Sequence, residues 1–427
     1  MSEKTWPKIM MKKKEKEKES RIITGLDVGT SKVCAVVAEL LENGQINVKG
    51  VGQSAAKGVR QGTVINIEHV ADCVDQALQE AEEMAGVEVG SAFVSLGGCH
   101  LQGFSSRGVM AINGRGREVK AEDVNGVILA GAAVPLPADR KLLQVLPQEF
   151  KVDDQDGIKE PVGVSGVRLE AEVYLIHASV ASITSLLKSV QKSGIQVDDL
   201  VVEHLAASEA VLDNDEKELG TVLVDIGAGT TNVIIYVHGS VCHVEVLPLG
   251  GHHFTNDISI GLRTPMAEAE LIKNKYGCTL SSLIEAQEDI DVPSVGGRKS
   301  RTISRHVLCE IIEPRAEELF NLIDQSINKT GVKPLMTGGA VLTGGACLMQ
   351  GMTEIAERTL GLPVRRGYPK PIGGLMDVVN SPIQATAVGL VLYGARYGDH
   401  HSWLWQDTGD GVIQRVWQKI SKSLGGR

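Results

Sequence analysis

Two short segments of the chain place aspartate, glycine and threonine in the same order, about 200 residues apart. The first runs from Gly25 to Lys32 (Gly-Leu-Asp-Val-Gly-Thr-Ser-Lys) and the second from Val224 to Thr231 (Val-Asp-Ile-Gly-Ala-Gly-Thr-Thr). At a tight turn, glycine and threonine amides can face phosphate oxygens, and an aspartate can bind the water shell of a metal ion. The duplication therefore predicts a nucleotide clamp made of two similar turns.

Both turns lie between runs of β-branched residues, which are typical of strands. The first run continues through an Asn43-Gly44 hairpin signal, and the second through His238-Gly239-Ser240. Two units of this plan, each followed by helical segments, predict a pair of similar α/β domains with the nucleotide in the cleft between them. We predict the strands of the two meanders at 22–26, 33–40 and 46–51, and at 222–225, 232–237 and 241–247.

Each predicted domain carries an insertion, the first at 87–172 and the second at 250–329. The first insertion is rich in glycine and valine and has short apolar runs, and the second has a Pro- and Gly-containing loop at 292–298. Apolar residues at helical spacing predict helices at 68–84, 121–132, 180–193, 266–276, 305–326 and 352–360.

A third nucleotide signal follows a predicted strand at Thr343-Gly344-Gly345. Without Cβ atoms, Gly344 and Gly345 allow the backbone to lie flat against a purine. Thr-Gly-Gly alone would fit any strand-to-helix turn. Its order and spacing after the two Asp-x-Gly turns favour nucleotide binding.

Composition describes a globular chain, because 43% of its 427 residues are hydrophobic and 22% are charged. The net charge of −10 argues against general nucleic-acid binding, which needs a basic face. The seven cysteines form no Cys-x-x-Cys pair, which favours free thiols in a reducing compartment. No apolar run is long enough for a transmembrane helix, so we expect a cytosolic protein. Residues 1–20 are highly charged and are predicted to be a disordered arm.

The ordered triplet Asp-x-Gly, Asp-x-Gly-x-Gly-Thr and Thr-Gly-Gly resembles the signature of the ATPase superfamily of actin, sugar kinases and Hsp70-type proteins. Over about residues 21–396 the chain resembles one branch, the bacterial cell-division protein FtsA. Gln148-Glu149-Phe150 and Pro293-Ser294-Val295-Gly296-Gly297-Arg298 separate this branch from actin-like proteins in general. The resemblance is carried by 25–30, 146–150, 152–155, 224–230, 255–258, 292–298, 312–315 and 342–345.

The resemblance implies an α/β, actin-like fold of duplicated, ribonuclease H-like domains, with ATP and Mg²⁺ between two lobes. Asp27 and Asp225 would flank the hydrated metal. Glu270 and Lys273, three residues apart on one helical face, would reach ribose and base, the alternative being a surface ion pair. Lys32 would be a phosphate cation, the alternative being a solvent-facing lysine. The implied phosphate contacts are Gly29, Thr30, Ser31, Lys32, Gly227, Gly229, Thr230 and Thr231.

The same resemblance implies a division of the chain into subdomains. The first lobe would comprise 21–86, 173–215 and about 385–398, with its small subdomain replaced by a differently placed insertion at 87–172. The second lobe would comprise 216–249 and about 330–384, with its insertion at 250–329. The remaining parts are the charged arm at 1–20, a linker at 399–411 and an amphipathic helix at 412–427.

One residue is a candidate for catalysis. Glu203 occupies the position where some bacterial actins carry a glutamate, and its carboxylate could hold an attacking water. The family varies at this position, and His204 stands where a proline is common. We therefore expect ATP binding with slow hydrolysis at most. The paired histidines at 252–253 and 400–401 are not predicted to bind a metal.

The segment 412–424 has the composition of a helix that lies in the membrane interface. Its apolar residues fall on one helical face, and its cations lie beside or opposite that face with no acid among them. A helix docked on the body or on a partner protein is the alternative, which the resemblance disfavours because the family ends in a membrane-targeting helix. The predicted membrane residues are Val412, Ile413, Arg415, Val416, Trp417, Lys419, Ile420, Lys422 and Leu424.

The resemblance further implies an ATP-binding protein of septum formation that polymerises on the cytoplasmic face of the inner membrane at the division site. It would attach the tubulin-like ring protein FtsZ to an anionic membrane. The FtsZ C-terminal peptide would bind near Arg315 and Glu318, whose alternative role is ordinary surface charge, and later division proteins would bind 87–172. The rival functions are a sugar or acetate kinase and a pilus-assembly adaptor of the same fold.

Overall fold

The computed structural model describes residues 21–112, 117–285 and 288–397. Its strands are β1 (Arg21–Val28), β2 (Lys32–Leu40), β3 (Ile46–Ala55), β4 (Val59–Arg60), β5 (Thr63–Val64), β6 (Ser91–Leu96), β7 (Gln102–Ala111), β8 (Arg140–Val152), β9 (Gln155–Ile158), β10 (Arg168–Ser179), β11 (Gln196–Val202), β12 (Thr221–Ile226), β13 (Thr231–Val237), β14 (Ser240–Leu247), β15 (Asp289–Val292), β16 (Arg301–Ser304), β17 (Ala340–Thr343), β18 (Val364–Arg366) and β19 (Gly373–Gly374). Its helices are α1 (Ile67–Ala85), α2 (Ala121–Ala132), α3 (Val180–Lys192), α4 (Glu203–Val211), α5 (Asn214–Leu219), α6 (Gly251–Leu262), α7 (Met266–Tyr276), α8 (Arg305–Thr330), α9 (Met352–Leu360), α10 (Met376–Val379) and α11 (Ala385–Tyr397).

The first lobe is built on a six-stranded sheet in the order β11-β6-β1-β2-β3-β19. The predicted antiparallel meander β1-β2-β3 is confirmed, and β6 and β11 extend the sheet with parallel pairing. Gly25 faces Ala387 of α11, whereas Gly50 lies two strands away on the opposite face and contacts Ala81 of α1. The sheet is therefore covered on both faces, which explains why 33–38 is a continuous apolar run.

The second lobe repeats this plan in a five-stranded sheet, β14-β13-β12-β17-β18. β12 pairs antiparallel with β13 and parallel with β17, as β1 pairs with β2 and β6. The helices α8 and α9 pack beside this sheet and bury Phe320, Ile323 and Ile355 in its core. The predicted duplication of the α/β unit is confirmed.

The first insertion forms its own antiparallel sheet, β7-β10-β8-β9, with a separate apolar core beneath α2. Its predicted limits of 87–172 need correction at both ends. The strand β6 pairs with β1 and β11, so it belongs to the first lobe, and β10 stays in the inserted sheet until Ser179. A short buried strand looks the same in sequence whichever sheet it joins, because its apolar pattern does not identify its neighbours.

The second insertion contains α6, α7, the hairpin β15-β16 and the long helix α8, which continues through Pro314 to Thr330. The return to the first lobe occurs earlier than the predicted residue 385. Gly373 and Gly374 in β19 already pair with Asn47 and Val48 of β3. Two-residue strands have no periodicity of their own, so only the tertiary pairing identifies them.

Candidate functional site

The two predicted phosphate turns have the same backbone geometry. The amide of Gly29 donates to the carbonyl of Lys32 at 3.0 Å, and the amide of Gly227 donates to the carbonyl of Thr230 at 2.9 Å. Each turn joins the first two strands of its meander. The turns approach so closely that a Cβ at Gly229 would lie 2.7 Å from Oγ1 of Thr30. The two lobes therefore bring the predicted clamp together.

A cavity of about 460 Å³ lies between the lobes where the turns meet. Thirteen of the fourteen predicted cofactor and metal residues line this cavity. Those that line it are Asp27, Gly29, Thr30, Ser31, Lys32, Asp225, Gly227, Gly229, Thr230, Glu270, Lys273, Gly344 and Gly345, together with the catalytic candidate Glu203.

Thr231 does not line the cavity, so its predicted role as a phosphate contact needs correction. Its side chain is fully buried, and its hydroxyl donates to the carbonyl of Leu249 at 2.7 Å. It is the first residue of β13, and its side chain points into the second lobe. The neighbouring Thr230, which ends the turn, lines the cavity in its place.

Three carboxylates converge on the cavity from three different elements: Asp27 and Asp225 are the second-last residues of β1 and β12, and Glu203 begins α4. Burial raises the pKa of all three. For Asp225 the pKa rises to about 7 through burial and the nearby charge of Asp27. For Glu203 it rises to about 8 through burial and the charges of Asp27 and Asp225. A cation that enters the cavity would stabilise the ionised form of these buried acids strongly.

The carboxylates have few hydrogen-bond donors. Ser95 donates to Asp27 at 2.8 Å, Asn232 donates to Glu203 at 2.8 Å, and Thr386 donates to Asp225 at 3.5 Å. In the described part of the chain, no group of three His, Cys, Asp or Glu side chains is arranged as a metal site. Carboxylates with few donors that face an open cavity suit a cation that keeps its water shell.

Gly344 has no side chain, and any side chain at this position would fill the space beside Asp225. Its φ is +83°, and a Cβ would lie 2.3 Å from Oδ1 of Asp225. At Gly345 a Cβ would meet nothing closer than Ile383 at 3.7 Å. Of the two glycines, Gly344 is the one that the local geometry requires.

Glu270 and Lys273 lie together on α7 at the other end of the cavity. Nζ of Lys273 donates to Glu270 at 2.7 Å, to Thr255 at 2.9 Å and to the carbonyl of Gly251 at 3.1 Å. Burial alone would raise the pKa of Glu270, but the hydrogen bonds from Lys273 and Thr255 outweigh it and lower the pKa. The side chain of Lys273 is only 7% exposed, whereas that of Glu270 is 41% exposed, so the pair joins a buried lysine to a carboxylate at the surface of the cavity.

The side chain of Lys32 has a hydrogen-bond partner within the protein. Its Nζ donates to Oε1 of Gln384 at 2.9 Å, and the same oxygen accepts from the thiol of Cys34. The cation is therefore held at the cavity wall by a residue that precedes α11.

Sequence reasoning missed several polar residues at the cavity. Asn232 and Ser95 are the clearest, because each is a polar side chain inside an otherwise apolar strand. That signal was available in the sequence. His204 bonds through Nε2 to the carbonyl of Glu245 on β14, and burial lowers its pKa to about 4. His204 therefore links α4 to the second lobe as a neutral imidazole.

The predicted peptide-binding residues lie on α8. Arg315 makes two bonds to the carboxylate of Asp257 on α6, at 2.6 and 3.1 Å, and a third to Glu318. These bonds raise the pKa of Arg315. Its guanidinium is thus engaged within the second insertion, whereas the side chain of Glu318 is 51% exposed.

Three sets of predictions lie outside the described residues: the arm at 1–20, the linker at 399–411 with its histidine pair, and the membrane helix with its named residues from Val412 to Leu424. Among the described residues, no helix is both long enough and apolar enough to cross a bilayer.

Comparison with known proteins adds two family models and several relatives. A model described as "Cell division protein FtsA" matches residues 222–389, and one described as "SHS2 domain inserted in FTSA" matches residues 98–177, close to the observed inserted sheet. The cell division protein FtsA of Pseudomonas aeruginosa is 45% identical over 374 residues, covering 88% of this chain and 89% of the relative.

Two solved structures have a similar fold. One is a PilM-PilN type IV pilus biogenesis complex, with a TM-score of 0.62 and 17% identity over 87% of this chain and 98% of the other. The other is MreB5 of Spiroplasma citri bound to ADP, with a TM-score of 0.53 and 13% identity over 86% of this chain and 94% of the other. At these identities the likeness concerns the fold alone, and it confirms the predicted actin-like architecture.

Proposed function

The chain belongs to the family of the cell division protein FtsA, and we propose that it is an ATP-binding adaptor that joins the division ring to the cytoplasmic membrane. The observation that carries the nucleotide part is the pair of equivalent turns facing one cavity between the lobes. MreB5, which shares the fold, is described as bound to ADP.

The cavity has features that fit a nucleotide and a hydrated Mg²⁺. Phosphates would meet the backbone amides of the two turns and the ammonium of Lys32. Asp27 and Asp225 would accept hydrogen bonds from the metal's water ligands, and Gly344 leaves room beside Asp225 that no other residue would leave. The bound metal would neutralise phosphate charge. Glu270 and Lys273 would contact ribose and base.

Glu203 is the candidate for positioning an attacking water. With a pKa of about 8 it is mostly protonated near neutral pH, and a protonated carboxyl is a poor base. Neutralisation of the nearby aspartates by Mg²⁺ would lower its pKa and make it a better acceptor. This supports ATP binding with slow hydrolysis.

Membrane attachment is assigned to the segment 412–424. A single basic amphipathic helix of this length binds an anionic surface weakly and reversibly. Filaments would present many such helices at once, so we expect polymerisation to raise the apparent membrane affinity through effective concentration. The body's charge of −10 would oppose this only slightly, because physiological salt screens charges over about 8 Å.

A flotation experiment tests this adaptor function. The full chain and a chain ending at Asp410 are mixed with ATP and vesicles of phosphatidylglycerol or of phosphatidylcholine. We expect only the full chain to float, and only with the anionic vesicles. Flotation of the shortened chain, or of neither chain, would contradict membrane attachment through 412–424.

FtsZ is proposed as the partner at the second insertion, with its C-terminal peptide bound against α8. Arg315→Glu is an ambiguous test, because it would place a third acid beside Asp257 and Glu318. Glu318→Ala leaves the Arg315–Asp257 pair intact, and the matched control is Glu317→Ala, whose partner Arg358 lies on α9. We expect Glu318→Ala alone to weaken peptide binding. Equal affinities would exclude Glu318 from the site.

Later division proteins are proposed to bind the first insertion, and the protein is proposed to act at the division site on the cytoplasmic face of the inner membrane. The kinase and pilus-adaptor alternatives receive no comparable support. The pilus complex shares the fold at 17% identity, whereas relatives of the cell-division family reach 45%.

A further inference from the structure

A second cavity, of about 430 Å³, lies at the junction of both lobes and the first insertion. Its walls come from β8 of the insertion, from α4 and α11 of the first lobe, and from α5, β13 and β14 of the second. Three tyrosine rings, Tyr236, Tyr393 and Tyr397, give it aromatic walls. None of the predicted nucleotide or peptide residues that the structure describes lines it.

The described chain ends at the rim of this cavity. Tyr397 is the last residue of α11, and its ring lies 4.8 Å from that of Tyr393, which in turn contacts Phe93 at 6.1 Å. Both tyrosines line the cavity. The residues after Tyr397 therefore begin beside a cavity with aromatic and polar walls.

The cavity carries an excess of positive charge. Lys159, Lys217 and Arg396 line it against two carboxylates, Glu209 and Glu218. Glu209 is shared by two cations, at 3.0 Å from Lys217 and 2.7 Å from Arg396. Burial alone would raise the pKa of Glu209, but Lys217 and Arg396 outweigh it and lower the pKa. A ligand with acidic groups would complete the charge balance.

The segment 398–411 matches these properties in composition. It contains three aspartates and no lysine or arginine, and it holds the apolar triplet Trp403-Leu404-Trp405. All four tryptophans of the chain lie outside the described residues, two of them in this triplet. Exposing two indoles in an otherwise polar linker is costly, since each carries a large apolar surface.

We propose that Trp403-Leu404-Trp405 docks in this second cavity and holds the C-terminal tail against the body. The distance permits it, because five residues lie between Tyr397 and Trp403 and an extended chain spans up to about 3.6 Å per residue. Gly398 follows the last residue of α11, where glycine commonly allows the chain to reverse direction. The indole N–H groups would face the carboxylates of the wall, and the linker aspartates would face its cations.

Docking would shorten the free linker before residue 412 from fourteen residues to six. The cavity walls come from both lobes, so a change in the angle between the lobes would alter the fit of the triplet. The nucleotide cleft lies between the same lobes, so the presence or absence of bound nucleotide would influence how far the tail reaches. This inference goes beyond the proposed function and does not depend on membrane binding.

Tryptophan fluorescence in solution tests the docking without vesicles. The full chain carrying Trp6→Phe and Trp417→Phe retains tryptophan only at 403 and 405. It is compared with the free peptide 398–411. We expect a blue-shifted emission maximum and an acrylamide quenching constant at least about twofold below that of the peptide, because a buried indole excludes the quencher. A quenching constant equal to that of the peptide would overturn the docking.

Two further substitutions in this background locate the site. Lys159→Glu makes the cavity wall acidic, and Asn214→Glu adds an acid at the first turn of α5, where helices tolerate acids. Both should raise the quenching constant toward that of the peptide. The control Lys188→Glu changes an exposed lysine on α3 away from the cavity and should leave quenching low. Low quenching in all three variants would mean that the indoles are buried elsewhere, and the assignment would fail.

Discussion

At the first turn of the nucleotide cleft, Asp27 accepts a hydrogen bond at 2.8 Å from Ser95 on the neighbouring parallel strand. At the second turn, the corresponding residue beside Asp225 is Thr343, and its hydroxyl is turned to the carbonyls of Gly367 and Pro382 instead. One donor to Asp225 is Thr386 of α11, which packs on the first lobe. Duplication has thus preserved the turn and its carboxylate, whereas the supporting hydrogen bonds differ.

Because of this difference, Asp225 in the second lobe depends on a hydrogen bond from a helix that packs on the first lobe. The side chain that supports Asp27 lies in the same sheet, whereas Asp225 is supported by Asn232 of its own sheet and by Thr386 from across the lobe boundary. The ends of the parallel strands differ as well. Ser95 is followed by the buried Leu96, whereas Thr343 is followed by Gly344, which is the residue in close contact with Asp225.

The largest expected effect comes from the strand end in the second lobe. Gly344→Ala should lower the free energy of unfolding by about 2–4 kcal/mol, because it combines a positive φ with a Cβ forced against Asp225. It should also abolish nucleotide binding. Gly345→Ala is the matched control for stability and should leave the free energy of unfolding unchanged, because a Cβ there would meet nothing closer than 3.7 Å. Denaturant unfolding and nucleotide titration measure both, and wild-type behaviour of Gly344→Ala would show that this strand end is no more constrained than the first.

The two adjacent threonines of the second turn should separate stability from binding. Thr231→Val removes a buried hydroxyl and leaves the carbonyl of Leu249 without its donor, so we expect a loss of about 1–2 kcal/mol in unfolding free energy with unchanged nucleotide affinity. Thr230→Val should do the opposite and weaken nucleotide binding by about three- to tenfold. If Thr231→Val weakened binding as strongly as Thr230→Val, its predicted role in phosphate contact would be restored.

The smallest effect concerns Glu203, which lies between the two aspartates. Because its pKa in the folded protein is raised to about 8, the folded state binds more protons than the unfolded state between about pH 4.5 and 8. The stability of the nucleotide-free protein should therefore fall as pH rises through this window. Glu203→Gln should remove the part of this loss that Glu203 causes, so its stability relative to wild type should increase from pH 4 to pH 8.

Thermal unfolding from pH 4 to 8 measures this dependence. The control Glu42→Gln, at an exposed turn between β2 and β3, should follow the wild-type curve. A Glu203→Gln curve parallel to wild type would mean that Glu203 stays ionised, and that the aspartates do not act on it across the cleft.

Much of the fold followed from local patterns. The two meanders, the helix at 121–132 and the three glycine-containing turns were predictable because strand alternation, helix spacing and turn chemistry act over a few residues. The limits of the first insertion could not be predicted in this way. β6 and β7 are consecutive strands, and only their pairing assigns one to the first lobe and the other to the inserted sheet.

The sequence by itself determined the duplicated turns, the carboxylates near the ends of their strands and the family to which the chain belongs, since all of these depend on residue type and order. Tertiary structure alone decided that Thr230 faces the cavity while Thr231 is buried, that Arg315 is already paired with Asp257, and that a second cavity opens beside Tyr397. The physical reason is that the direction of a side chain and the partners of a charge are set by packing between segments far apart in the chain, which local sequence patterns do not encode.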